Sequence, residues 1–275
     1  MSTTFTRWLS LDLPSREVVV DQVLEALPEA FEHVVDRAHE HAVPRFVHRE
    51  TGVTFHLVFG DRVLVGMSER RFRRVFEVRN AWRPTEPITD DLPESLPSWD
   101  DVRALTPTRL LEVPTLLVGE ALSALHLHRL GVPEGHLTPF GVRASGLSAT
   151  LRGLTRVGWR VPSEVEWEFV VRAAADSLDD RAPPISAAPR FLADMAARTE
   201  LCRDSWHQSW EGAPSSAAGW GDGHEVLRGG GGGSSLALWS APPSWGECVW
   251  PSRRMLSAQR PIAIRPVVDV TGSGR

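Results

Sequence analysis

The chain has 275 residues, enough for one large domain or two small ones, and 42% apolar with 24% charged residues is the balance of a soluble globular protein. A net charge of −5 with no dense basic run argues against a nucleic-acid partner, and no apolar run approaches the ~20 residues that cross a bilayer. Two cysteines, Cys202 and Cys248, are too few for a disulfide framework and have no metal-ligand spacing. The N-terminus lacks the basic start, apolar core and cleavage site of a secretory leader, so the expected compartment is the cytoplasm. Lys and Tyr are absent, which reads as the codon bias of a GC-rich genome, whereas Trp is abundant, with 11 residues that lie mostly after Trp159.

Taken in order, residues 15–42 read as helix, with Ser15 as cap and Val18, Val19, Val23, Leu24 and Leu27 as an apolar stripe. Pro28 restarts the pattern, and Phe31, Val34, Val35 and Ala38 continue it. His33, His39 and His41 are not spaced four apart, so no metal pair is expected there. Between 44 and 67, Val53, Phe55, Leu57 and Phe59 alternate with polar residues, Gly60-Asp61 turns, and Val63 and Val65 alternate again, which predicts a hairpin. Residues 81–108, rich in Pro, Asp, Glu and Ser, read as a surface loop. Leu110 to Leu117 and Leu122 to Leu130 read as a strand followed by a helix, on which His126 and His128 point to different faces. Residues 144–157 form a helix with Leu147, Leu151 and Leu154 as its stripe.

The stretch Gly158 to Ala174 is the most informative. Ser163 followed by Glu166 is a capping box, and Trp167, Val170, Val171 and Ala174 give the helix one apolar face. Glu164, Glu166 and Glu168 sit where the helix dipole favours carboxylates. Residues 176–191 are an acidic, Pro-rich loop. The five glycines Gly229 to Gly233 precede Ser234-Ser235 but no Lys, so they read as a strand running into a flexible loop and not as a phosphate cradle. Ile262, Ile264 and Val267 alternate in a closing strand before a frayed tail.

Arg160, Pro162, Ser163, Glu164, Glu166, Trp167, Glu168, Phe169 and Arg172 resemble the R-L-P-[ST]-E-A-E-W-E-[FY]-A-x-R signature of the formylglycine-generating-enzyme, or sulfatase-modifying-factor, superfamily. Gly60, Gly66 and Met67 fit its opening strand. Asp194, Met195, Glu200, Cys202, Asp204 and Trp206 fit a second motif, and Arg228-Gly229-Gly230 a third. The resemblance implies an α+β fold related to the C-type lectins, with much irregular structure, over residues 43–270. Residues 1–42 would be a helical extension and 271–275 a tail. In that second motif the relatives' calcium-holding turn has become Ala197-Arg198-Thr199, so no calcium is expected.

The copper-binding cysteine pair of the oxygen-using members would fall near Ser234 and Trp239, neither of which is a thiolate. The expected function is therefore a non-catalytic binding or interaction module without a cofactor. It would hold a ligand or protein on a tryptophan-rich loop face of Trp206, Trp210, Trp220, Trp239, Trp245 and Trp250, with Ser234 beside them. The alternative is an oxygen-dependent metalloenzyme, an oxidase or a sulfoxide-synthase-like enzyme, with iron or copper held by His207, Asp222 and His224.

Overall fold

The computed structural model describes residues 5–28, 30–35, 43–65, 109–167, 169–170, 199–205, 225–229 and 261–270. It is a mixed α+β fold around an antiparallel sheet. Helix α1 spans Phe5–Ser10 and α2 spans Leu13–Ala26. Asp12 caps α2 by accepting from the amide of Ser15 at 3.0 Å, and a proline in the first turn loses no helical hydrogen bond there. Val19, Val20 and Val23 turn inward, and Pro28 follows the helix end.

The helix expected to resume after Pro28 does not form over Phe31–Val34. Those four residues are strand β1, paired antiparallel with β2, Arg45–His48. The segment is too short to separate the two periods, and cross-strand packing of Phe31 on His48 decides for strand. Residues 36–42 lie outside the described residues.

β2 turns into β3, Thr54–Val58, so the hairpin here closes through residues 49–53 and not at Gly60-Asp61 as the alternation predicts. Strand β4, Asp61–Val65, leaves β3 behind and pairs with β5, Arg109–Val113, while β3 pairs with β6, Leu116–Gly119. The pairing runs in one register through both halves, from Phe55 opposite Gly119 to Val65 opposite Arg109. A single ribbon is thus bent once, where Gly60 meets Pro114 and Thr115. The amide of Gly60 donates to Oγ1 of Thr115 at 3.0 Å, and a Cβ at Gly60 would lie 2.5 Å from the Thr115 backbone nitrogen. A period of two reveals a strand but not its partner.

Helix α3, Ala124–Arg129, follows β6. The small pair β7, Leu137–Thr138, and β8, Gly141–Val142, leads to helix α4, Leu147–Arg156. Leu147 and Leu154 are buried as expected, but Leu151 is 39% exposed, and Thr150 and Gly153 occupy the inward positions instead. Gly153 is there because α4 crosses the end of α3 closely, with a Cβ at Gly153 falling 2.5 Å from the carbonyl oxygen of Leu130. Gly158, at φ +75°, ends α4 in the left-handed turn that favours glycine.

β9, Thr199–Ser205, pairs with β10, Glu225–Gly229, and β11, Val267–Asp269, closes the sheet in the order β1-β2-β3-β6-β11. Regular pairing in the closing segment begins after Pro266, later than the alternation suggests. Before it, Ile262 bridges Val142 and Ala263 bridges Glu200. One core cluster runs from Trp8 through Phe31, Phe46, Phe55, Trp159 and Leu201 to Val270. The described part of the first 42 residues therefore packs into the same core as the rest.

Candidate functional site

The capping box at Ser163 forms as its spacing predicts. The amide of Glu166 donates to Oγ of Ser163 at 3.1 Å, and Oε2 of Glu166 accepts from the amide of Ser163 at 2.7 Å. Residues 164–167 and 169–170 are helical, with Val165, Trp167 and Val170 buried. The helix is more deeply set than an amphipathic stripe implies, because Glu164 and Glu166 are buried too. A buried carboxylate needs compensating charge, and Arg160 supplies it to Glu166 through two parallel bonds of 2.7 and 2.8 Å.

Arg160 also donates to Asp269, through Nη2 at 2.5 Å and Nε at 3.2 Å. Burial works against its charge, but the hydrogen bonds to Asp269 and Glu166 outweigh burial and raise its pKa further. Burial would lift the Asp269 carboxyl, and the hydrogen bond from Arg160 overrides it and holds it below the usual range.

A second, drier pair lies beside the first. Glu200 and Arg265 are almost wholly inaccessible, and three guanidinium–carboxylate bonds join them. Glu200 also accepts from Nε1 of Trp167 at 3.0 Å, and Nη1 of Arg265 donates to the carbonyl of Gly119 at 2.9 Å. The pair therefore ties together the end of β6, the capped helix, the start of β9 and the segment before β11. The motif positions Arg160, Glu166, Trp167 and Glu200 stood out in the sequence. Their pairing with Arg265 and Asp269 did not, because no local spacing encodes a contact between residues 65 or 109 apart.

These pairs fix the roots of two long connections. The chain leaves β9 at Ser205 and returns at Glu225, which is its register partner. The segment 206–224, with Trp206, His207, Trp210, Trp220, Asp222 and His224, thus starts and finishes at one end of the β9–β10 pair. The segment 230–260, with Ser234, Trp239, Trp245 and Trp250, leaves Gly229 at the other end, opposite Thr199. It rejoins at Pro261, two residues before Ala263 bridges Glu200. Six strand steps separate the two roots, about 20 Å at ~3.3 Å per residue.

All ten of these candidate residues lie outside the described residues, as does Cys248. Cys202, on β9, is 2% exposed. Among the described residues no group of three His, Cys, Asp or Glu is arranged to hold a metal ion, and none of the helices is long and apolar enough to cross a membrane. Glu166 and Glu200 already hold guanidinium groups.

No protein-family model and no curated protein matches this chain. A solved structure of PvdO from Pseudomonas aeruginosa is similar over 82% of this chain and 97% of that one, with 14% sequence identity and a TM-score of 0.47.

Proposed function

We propose that the chain is a non-catalytic binding or interaction module on a scaffold resembling the formylglycine-generating enzymes. It takes a ligand or protein partner on the loops that carry Trp206, Trp210, Trp220, Ser234, Trp239 and Trp245. The observation that carries this reading is the burial of Cys202. Its thiol sits in the core at 2% exposure, which leaves Cys248 as the chain's other cysteine, and a two-thiolate copper site needs two. Six of the chain's 11 tryptophans lie between 206 and 250, on segments rooted in a rigid ion-paired frame. Large aromatic side chains on loops held by such a frame suit recognition. The test is tryptophan emission of the full chain across a panel of sugars and peptides. A saturable change, abolished by W210A or W220A with the fold intact, supports the module; a flat response across the panel contradicts it.

One observation favours a second reading, an iron or copper enzyme using His207, Asp222 and His224. Ser205 and Glu225 are register partners, and the chain reaches His207 two residues after the first and His224 one residue before the second. Stoichiometric iron or copper in protein purified without added metal, lost in H207A or H224A, would replace the first reading with this one.

A further inference from the structure

From residue 121 to 160 the chain carries one Glu, Glu134, against five Arg and no Asp or Lys, while the rest of the molecule carries an excess of nine negative charges. Arg160 is spent on Glu166 and Asp269. Among the described residues, no carboxylate neutralises the others. Arg129, Arg152 and Arg156 are exposed, and none of them has a carboxylate partner among the described residues.

Arg156 links the two helices that carry the three. Arg152 and Arg156 are one turn apart on α4, and Nη2 of Arg156 donates to the carbonyl of Leu130, the residue after Arg129, at 3.0 Å. Each guanidinium is held by one or more of its nitrogens. Arg129 donates to the carbonyl of Thr51 at 2.9 Å and Arg152 to Oγ of Ser148 at 2.7 Å. Fixed in this way, they keep their remaining N–H groups for solvent or for a partner, with less side-chain entropy to lose on binding. Two like charges one turn apart cost a helix stability, and no acidic residue on α4 relieves them. Leu151, next to Arg152 in the chain, is also exposed on α4, and the exposed ring of His128 adds a polar group from α3.

We propose that this face of α3 and α4 is a docking surface for an acidic polypeptide segment with an apolar residue for Leu151. Charge complementarity carries the choice. Guanidinium groups match carboxylates through paired bonds. The excess negative charge elsewhere on the molecule repels a long polyphosphate chain, while a short acidic segment avoids it. This surface is built from residues other than those of the proposed function, and neither reading depends on the other.

The probe is a short fluorescein-labelled peptide rich in Glu with a central Leu, titrated with the full chain at low salt and read by anisotropy. Saturable binding is expected, weakening as salt rises. R152E should reduce affinity about tenfold, the scale of a reversed charge at an interface. Among the described residues the Arg152 side chain hydrogen-bonds to Ser148 on its own helix, so this variant keeps the fold even if R156Q, which loosens the hold on Leu130, does not. R62E makes the same charge change on β4 and should leave binding within about twofold. Equal binding of a Gln-for-Glu peptide, an unchanged affinity in R152E, or stronger binding of a single-stranded oligonucleotide than of the peptide would each overturn the proposal.

Discussion

Arg265 and Glu200, 65 residues apart in the chain, form an ion pair with three guanidinium–carboxylate bonds and almost no access to water. Desolvating two charges offsets most of their attraction, so such a pair specifies an arrangement more than it stabilises one. Removing one partner strands the other. E200A or R265A should each lose about 3–5 kcal/mol in urea unfolding. The double change E200L with R265M should lose much less than the sum of the single losses. A double variant as unstable as that sum would show that the two side chains act independently.

The bend in the long ribbon makes a second test. A methyl group at Gly60 would lie 2.5 Å from both the Thr115 nitrogen and the Val113 oxygen, which are backbone and have nowhere to go. G60A should cost about 1–3 kcal/mol, the range for overpacking. At Gly135 an added Cβ meets nothing within 4 Å, so G135A serves as the neutral control. Equal melting temperatures for the two variants would contradict the close approach.

His48 makes stability depend on pH. Its ring is buried against Phe31 and Trp159, with Nδ1 3.1 Å from Oγ1 of Thr51, and burial holds its pKa below the usual histidine value while nearby Glu50 opposes this weakly. The folded state therefore prefers the neutral ring, and the unfolded chain binds the proton more readily. The stabilising contribution is complete above the ordinary value of about 6.5 and is lost as pH falls from there through the folded value. Burial shifts His33 and His126 in the same direction. H48Q should flatten the fall in unfolding free energy below pH 6.5, and an unchanged slope would remove His48 from the account.

The capping box is the part of the frame most plainly written in the sequence. S163A should destabilise the protein by about 1 kcal/mol or more, the usual worth of such a cap. Here the cap is fully buried, and the Glu166 it organises also holds Arg160. Circular dichroism during thermal unfolding reads the loss, and a melting curve identical to the parent's would show that the box is incidental.

Local chemistry explains what could be read from the chain. Ser163 and Glu166 speak to each other over three residues, so their spacing alone revealed the cap. Phe31 and Val34 are too few apolar residues to establish a period, and a partner strand, β2, settled the matter. The partner of Thr54–Val58 was hidden too: alternation says nothing about which strand lies alongside. The pairing of Arg265 with Glu200 and of Asp269 with Arg160 gave no signal, since charge pairing across the fold leaves no periodic trace. The two cysteines could be counted from the chain, and Cys202 lies buried on β9.

The most direct test of the central claim is the metal content and oxidase activity of the full chain after copper loading, assayed with a peptide that carries a thiol. No stoichiometric copper and no aldehyde are expected, because Ser234 and Trp239 stand where the resemblance would place the two metal-gripping thiolates. One copper per chain together with aldehyde formed from the peptide thiol would contradict it.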